Sequence, residues 1–420
     1  MKAVVFTLGC KVNDVESGSL IRGLEEIGYT VSRFLEEDAD LYIINTCAVT
    51  AEAERKSRQT VGKAVKAGKN AKIIVCGCAS QRDSAQFFEK NENVVFVSGA
   101  QGKNKILELV RDGIPQERQG VAVEDLGREY EEMLAPECLK SRSFVKIQDG
   151  CNRFCSYCII PYLRGRSRSR KLDSVVNEVL ASTSAETVLT GIDVSDYRDE
   201  NGNTFVELLK ALKDVPTRIR LGSLEVSLIT DEFLAAAKSL KNFAPHFHLS
   251  LQSGSNAVLK SMNRHYTREE YLAACRKIYA TFPNASITTD IIVGFPTETE
   301  EDFLQSVSIV EEAGFLQVHA FPYYPRQGTV AYRKYKELPF ALKKERVEML
   351  LKRAQEVKEE YLRRFIGSEL SIVPEFCNGG LWEGYSENYI RVYVQDENGE
   401  EPTHVRVEKL FKDGVLAKRI

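Results

Sequence analysis

The sequence predicts an α/β protein in three parts. An open parallel α/β sheet comes first, then a parallel βα barrel or an open part of one, then a small all-β barrel. Three observations carry this. Short β-branched runs alternate with amphipathic stretches through the first 115 residues; six further strand candidates follow, most of them thirty to forty residues apart; and the last 55 residues switch to short alternating runs with Asn-Gly turns. At 420 residues the chain has room for two or three domains.

In residues 1–115 the runs AVVFTL (3–8), LYIINT (41–46), AKIIVCG (71–77) and NVVFVS (93–98) read as buried parallel strands. Between them ESGSLIRGLEEIG (16–28) reads as a helix with Gly28 as its stop. Residues 116–142 lack periodicity and hold Gly, Pro and many acids, so they read as a linker. In residues 143–365 the strand candidates are FVKI (144–147), TVLTG (187–191), RIRLG (218–222), HFHLSL (246–251), SITTDIIVGF (286–295) and LQVHAF (316–321). A trailing helix over 341–365 places Leu350, Ala354, Val357 and Tyr361 on one stripe. Residues 366–420, with YIRVYV (389–394) and turns at Asn378-Gly379 and Asn398-Gly399, fit the β barrel.

Composition excludes several classes. Hydrophobic residues make up 43% and charged ones 28%, as in folded soluble proteins. The longest apolar runs fall far short of the ~18 residues of a bilayer span, and no cleavable leader with an A-x-A site opens the chain. The expectation is a cytoplasmic protein with no membrane partner. Lys plus Arg is 57 against 60 Asp plus Glu, so nucleic-acid binding would need a local patch. Ten cysteines in a reducing compartment point to metal or catalysis rather than disulfides.

The sharpest pattern is VKIQDGCNRFCSYCIIP (145–161), with Cys151-x3-Cys155-x2-Cys158. Three thiolates on one loop can hold three irons of a 4Fe–4S cluster and leave the fourth open to a ligand. A structural zinc site wants four ligands, and none of the five histidines is local. Cys10, Cys47 and Cys78 lie far apart, yet each falls just beyond a predicted strand end, where an open parallel sheet collects its ligands. Cys76 lies two residues from Cys78, so strand alternation could turn both thiols to one side. Six cations and no acid occupy 150–172: Arg153, Arg164, Arg166, Arg168, Arg170 and Lys171. Arg164, Arg166, Arg168 and Arg170 are expected to contact RNA phosphates.

The cysteine loop resembles that of the radical S-adenosylmethionine (SAM) enzymes, with the aromatic Tyr157 before the last cysteine. That resemblance implies a (β/α)6 partial TIM-like barrel, a SAM-binding 4Fe–4S cluster on Cys151, Cys155 and Cys158, and cleavage of SAM to a 5′-deoxyadenosyl radical. Segments VLTGID (188–193), RLGSLE (220–225), HLSLQSGS (248–255) and DIIVGFPTET (290–299) resemble that family's SAM pocket. They implicate Gly191, Ser223, Glu225, Gln252 and Val293 beside Tyr157; Thr297 stands where the family commonly has glycine. TLGCKVN (7–13), INTC (44–47) and CGCASQ (76–81) resemble the N-terminal domain of the methylthiotransferases, which implies a second 4Fe–4S cluster on Cys10, Cys47 and Cys78. The family's third ligand follows a glycine, here Gly77-Cys78, with Cys76 an addition. Cys138, Cys275 and Cys377 match no ligand position.

LWEGYSENYIRVYV (381–394) resembles the TRAM domain, an RNA-binding barrel of the tRNA-modifying members. Residues 366–420 carry six Lys/Arg against ten Asp/Glu, so RNA contact there is expected from Arg391, Arg406 and Lys409 or from Trp382, Tyr385 and Tyr389 stacking on bases. Gly9-Cys10-Lys11-Val12-Asn13 has the form typical of the branch acting on N6-threonylcarbamoyladenosine at tRNA position 37. The resemblance thus implies methylthiolation of C2 of that base in the anticodon loop, with an external electron donor. The same chemistry on N6-isopentenyladenosine or on a ribosomal-protein aspartate is the near alternative. An iron–sulfur electron carrier or RNA-binding protein without transferase activity is the distant one.

Overall fold

The structure, a computed structural model, describes residues 1–68, 70–123, 126–137, 141–395 and 403–420. Six parallel strands form the first sheet: β1 (Lys2–Thr7), β2 (Thr30–Ser32), β3 (Leu41–Thr46), β4 (Lys72–Gly77), β5 (Val94–Ser98) and β6 (Gly120–Ala122). Their order is β2-β1-β3-β4-β5-β6. Period-two alternation divides each strand between two cores. Val4, Tyr42, Ile44, Ile73 and Val75 face one; Ala3, Val5, Leu41, Ile43 and Ile74 face the other. The order reverses between β1 and β3, which opens a crevice at their carboxyl ends.

The first helix runs Lys11–Glu26, five residues earlier than periodicity suggested, with Cys10 as its extended N-cap. It ends as expected at Gly28 (φ +93°), where Tyr29 N donates to Leu24 O at 3.0 Å and Gly28 N to Glu25 O at 3.0 Å. The segment read as a linker also does structural work. It supplies β6, and Tyr130 Oη donates to Lys146 O at 3.0 Å, tying the sheet to the barrel. Short, partly exposed edge strands such as β2 and β6 leave no apolar run to read.

All six expected barrel strands are present. The first, β7 (Arg142–Lys146), precedes a two-residue antiparallel pair, β8 (Gln148–Asp149) and β9 (Arg168–Ser169), which brackets the cysteine loop. Then come β10 (Glu186–Thr190), β11 (Arg218–Leu221), β12 (Ser223–Leu224), β13 (His246–Leu249), β14 (Ser286–Val293) and β15 (Gln317–Pro322). Pairing is parallel in the orders β11-β10-β7 and β12-β13-β14-β15. The break between β11 and β12 falls at Gly222, where a Cβ would sit 3.0 Å from Leu189 O. Val145, Leu189, Ile219, Phe247, Leu249 and Ile287 pack outward under the helices. Alternation therefore turns Arg142, Phe144, Lys146, Glu186, Arg220, His246, His248 and Asp290 inward. The helix Phe340–Arg363 buries Leu350, Ala354, Val357 and Tyr361 as its stripe predicts.

A closed five-stranded barrel ends the chain: β16 (Glu369–Asn378), β17 (Leu381–Ser386), β18 (Arg391–Gln395), β19 (Thr403–Phe411) and β20 (Gly414–Arg419). The Asn378-Gly379 turn joins β16 to β17; Asn398-Gly399 lies outside the described residues. This barrel plugs the amino-terminal end of the βα barrel. Arg220 donates to both Glu186 carboxylate oxygens (2.8 and 2.6 Å) and to Ser386 O (2.9 Å), and Arg142 pairs with Glu375 at 2.6 Å. Tyr389 stacks on His246 with ring centroids 4.2 Å apart.

Candidate active site

Each N-terminal cysteine sits at the carboxyl end of a strand beside the crevice. Cys10 follows β1, Cys47 follows β3, and Cys78 opens the helix Cys78–Arg82 after β4. Glycine permits the close approach: Gly9 (φ +111°) would put a Cβ 2.9 Å from Cys47 Sγ. Asn13 Nδ2 donates to Leu8 O (2.7 Å) and Thr46 O (3.1 Å), and Thr46 Oγ1 donates to Cys76 O (2.6 Å), so the three loops are cross-tied. Burial pushes the Cys47 thiol up to about 11, and the Cys78 and Cys10 thiols add to the rise. Cys78 is raised by burial as well, with Arg164 opposing. Cys10 is exposed, while burial disfavours the thiolates of Cys47 and Cys78, a cost that a bound metal would offset.

Cys76 does not share that side. Gly77 (φ +102°) breaks the alternation, so Cys76 packs with Val5, Ile43 and Ile74 while Cys78 packs with Ile44 and Val75 on the opposite face. Burial pushes Cys76 up to about 12. Cys275 is a buried core residue, Cys377 is exposed, and Cys138 lies outside the described residues.

The second set lies on the loop between β8 and the helix Ile160–Arg164. Ser156 anchors it, donating from N to Met262 O (2.9 Å) and accepting from Ala331 N (2.7 Å). Arg153 N donates to Cys151 Sγ at 3.4 Å. Arg264 gives one N–H to Cys155 Sγ (3.3 Å) and another to Glu225 Oε2 (2.6 Å). Burial pushes Cys151 and Cys158 up to about 12, and neighbouring thiols add to it. Each set thus offers three thiols and could hold a cluster through three irons.

The expected pocket residues fall around this loop with unequal reach. Tyr157 packs beside Phe295 and Tyr323. A Cβ on Gly191 would lie 3.0 Å from Gln148 O, and Gln148 Oε1 accepts from Ile192 N (3.0 Å) and Asp193 N (2.8 Å). Ser223 is exposed inside the mouth, and Glu225 is buried against Arg264. Gln252 (φ +69°) bridges to β14 through Asp290 O and Ile292 N (2.8 and 2.9 Å). The Val293 side chain packs in the outer core, so its backbone alone faces the rim.

The row of arginines requires correction. Arg164, Arg168 and Arg170 are buried and engaged within the protein, so they do not form a phosphate-facing strip; Arg166 alone of the four is exposed, lying over Phe154 at 4.4 Å. Arg170 pairs with Glu132 at 2.8 Å and with Glu178, and Arg168 with Asp149 at 3.3 Å. Arg164 donates to Glu16 (2.8 Å), Asp149 (3.0 Å), Asn13 Oδ1 (2.7 Å) and, from Nε, to Cys78 Sγ (3.3 Å). Lys146 (2.7 Å) and Lys103 (3.0 Å) complete the shell of Glu16. Tyr385 and Tyr389 stack on each other at 4.5 Å within the barrel plug rather than offering free faces to bases. Arg391 is held by Glu383 and Asp413, and Arg406 by Glu369. Sequence reading missed Arg264, Asp193 and the buried role of Arg164, because charge pairing between residues far apart in the chain leaves no local pattern.

A family model of the radical SAM superfamily matches residues 145–310, and one described as uncharacterized protein family UPF0004 matches residues 2–99. The chain is 37% identical to the threonylcarbamoyladenosine tRNA methylthiotransferase MtaB of Thermotoga maritima, over 100% of this chain and 97% of that protein. The whole chain is thus covered at family-level identity. It belongs to the radical SAM methylthiotransferases. The methylthiotransferase is also 37% identical to MtaB of Bacillus subtilis, over 93% and 90% of the two chains. It is 33% identical to a tRNA-2-methylthio-N(6)-dimethylallyladenosine synthase of Thermotoga petrophila, over 91% and 88%. In fold it resembles the radical SAM methyltransferase TsrM of Kitasatospora setae, with TM-score 0.57 and 13% identity, over 91% of this chain and 80% of that one. As a radical SAM enzyme the methylthiotransferase uses an iron–sulfur cluster and SAM. No helix among the described residues is long and apolar enough to cross a membrane.

Proposed function

We propose that this methylthiotransferase acts on tRNA and places a methylthio group on C2 of N6-threonylcarbamoyladenosine at position 37. Cys10, Cys47 and Cys78 would hold one 4Fe–4S cluster; Cys151, Cys155 and Cys158 would hold a second, which binds SAM. The single observation that carries the reading is Arg164: it ends the short helix that follows the loop of the second thiol set, and it donates to Cys78 of the first. Two three-thiol sets, the helix after one reaching a thiol of the other, suit a reaction that needs a radical source and a sulfur source at one base.

When bound, the clusters and SAM supply the hydrogen abstraction from C2 and the methylthio group, with electrons from an external donor. The chain's own residues position and insulate. Arg264, fixed by Glu225, aims an N–H at Cys155, and Arg164, fixed by Glu16 and Asp149, aims one at Cys78. Such donors favour the anionic sulfur and orient each thiol set. The C2–H of adenine is not acidic enough for a side-chain base, so no proton acceptor is required at that atom.

The full-length relatives named for threonylcarbamoyladenosine support this substrate over the isopentenyl-type one. Profiling modified nucleosides in cells lacking the protein tests it. Loss of 2-methylthio-N6-threonylcarbamoyladenosine with accumulation of its precursor is expected; loss of the isopentenyl-type product instead would assign the other substrate.

A further inference from the structure

Lys11 opens the first helix, directly after Cys10. Among the described residues it makes no ion pair, unlike the other cations at this junction. Arg142 and Arg220 are committed to Glu186 (2.6 Å each), and Lys146 and Lys103 to Glu16. The Lys11 ammonium lies over the ring of Phe144, 5.6 Å from its centroid, on the inward side of β7. It is exposed to solvent, yet its charge is felt by His246 on β13 and His319 on β15. Its ammonium therefore faces the barrel interior. His248, hydrogen-bonded to Thr288 (3.0 Å) and facing Asp290 (3.3 Å), lines the same interior.

We propose that Lys11 receives the carboxylate of the N6 substituent, so that the enzyme selects adenosines bearing an anionic, amino-acid-derived group at N6 over those bearing a neutral one. This rests on the substrate reading above and explains how the site would enforce it. On adenine, C2 and N6 flank N1 on one edge. With C2 directed at the cysteine rims, the N6 group extends into the barrel mouth, within reach of the side chain next to Cys10. A carboxylate enclosed there requires a cation, and Lys11 is the one at hand without a partner. A neutral substituent would dry the ammonium and give it nothing in return.

The test uses reconstituted enzyme and anticodon stem-loop RNAs carrying threonylcarbamoyladenosine, its methyl ester, or isopentenyladenosine. Both kcat/KM and the Kd from fluorescence anisotropy are measured for wild type, Lys11→Gln and Lys11→Arg. Iron content and deoxyadenosine formation report that each variant is loaded. Wild type is expected to favour the acid over the ester on the order of a hundredfold. Lys11→Gln should remove that preference by weakening the acid alone, and Lys11→Arg should restore most of it. Unchanged acid-over-ester preference in Lys11→Gln, by kcat/KM or, for a poorly loaded variant, by Kd, overturns the role of Lys11. If wild type instead modifies the isopentenyl RNA and leaves the threonylcarbamoyl RNA untouched, the substrate reading itself fails, whatever Lys11 does.

Discussion

The guanidinium of Arg164 lies 3.3 Å from the sulfur of Cys78, although the two residues are 86 positions apart and belong to different domains. Arg164 is fully buried, and among the described residues four cations (Lys103, Lys146, Arg164 and Arg168) surround two carboxylates, Glu16 and Asp149, in its network. The positive excess sits beside Cys78. A buried net positive charge is stable where an anion completes it, and a three-thiolate cluster is such an anion.

Replacing Arg164 by Met should destabilise the fold by roughly 1–3 kcal/mol, because Asn13 Oδ1 loses its buried donor and Glu16 and Asp149 each lose one of several. Denaturant unfolding of the variant checks this. A change below about 0.5 kcal/mol, the range of ordinary surface substitutions, would contradict the role of the network.

The two thiol sets should fail in different ways. Cys155→Ala should abolish deoxyadenosine formation from SAM, whereas Cys47→Ala should keep it and lose the methylthio nucleoside. Chromatography of both products from anaerobic assays separates them; deoxyadenosine from Cys155→Ala, or methylthio product from Cys47→Ala, would contradict the assignment.

Cys76→Ala should keep most of the methylthio product and cost about 1 kcal/mol of packing, since Cys76 faces the opposite core from Cys78. Cys78→Ala should lose the product. Equal loss in both variants, measured by nucleoside chromatography, would move the third ligand to Cys76.

Glu186 holds the arginines that join the two barrels and gives stability a pH dependence. Burial alone would raise its carboxyl, but Arg220 above all, with Arg142 and Arg218, holds it down to about 2 from 4.5. A depressed acid contributes stability that is present above pH 4.5 and is lost as pH falls toward 2. The loss should amount to about 3 kcal/mol at 1.36 kcal/mol per pH unit. Glu186→Gln should flatten that part of a stability-against-pH curve; an unchanged slope would place the acid sensitivity elsewhere.

The barrel strands were legible because each carries apolar residues on its outward face, and all six fall within a few residues of their expected positions. The cysteine loop was legible because its spacing is local. Arg164, Arg168 and Arg170 read as a surface strip because their partners, Glu16, Asp149, Glu132 and Glu178, come from outside the loop. Gly77 misled in a similar way: a left-handed residue at a strand end cancels the alternation that would pair Cys76 with Cys78. Tyr389 looked like a base-stacking face until His246, 143 residues earlier, proved to cover it.

The most direct test is anaerobic reconstitution followed by assay with SAM, reductant and tRNA bearing threonylcarbamoyladenosine. About eight irons per chain, two 4Fe–4S clusters, are expected, with deoxyadenosine and the methylthio nucleoside appearing together. About four irons per chain in fully reconstituted protein would mean that Cys10, Cys47 and Cys78 hold no cluster, and would contradict the two-cluster assignment.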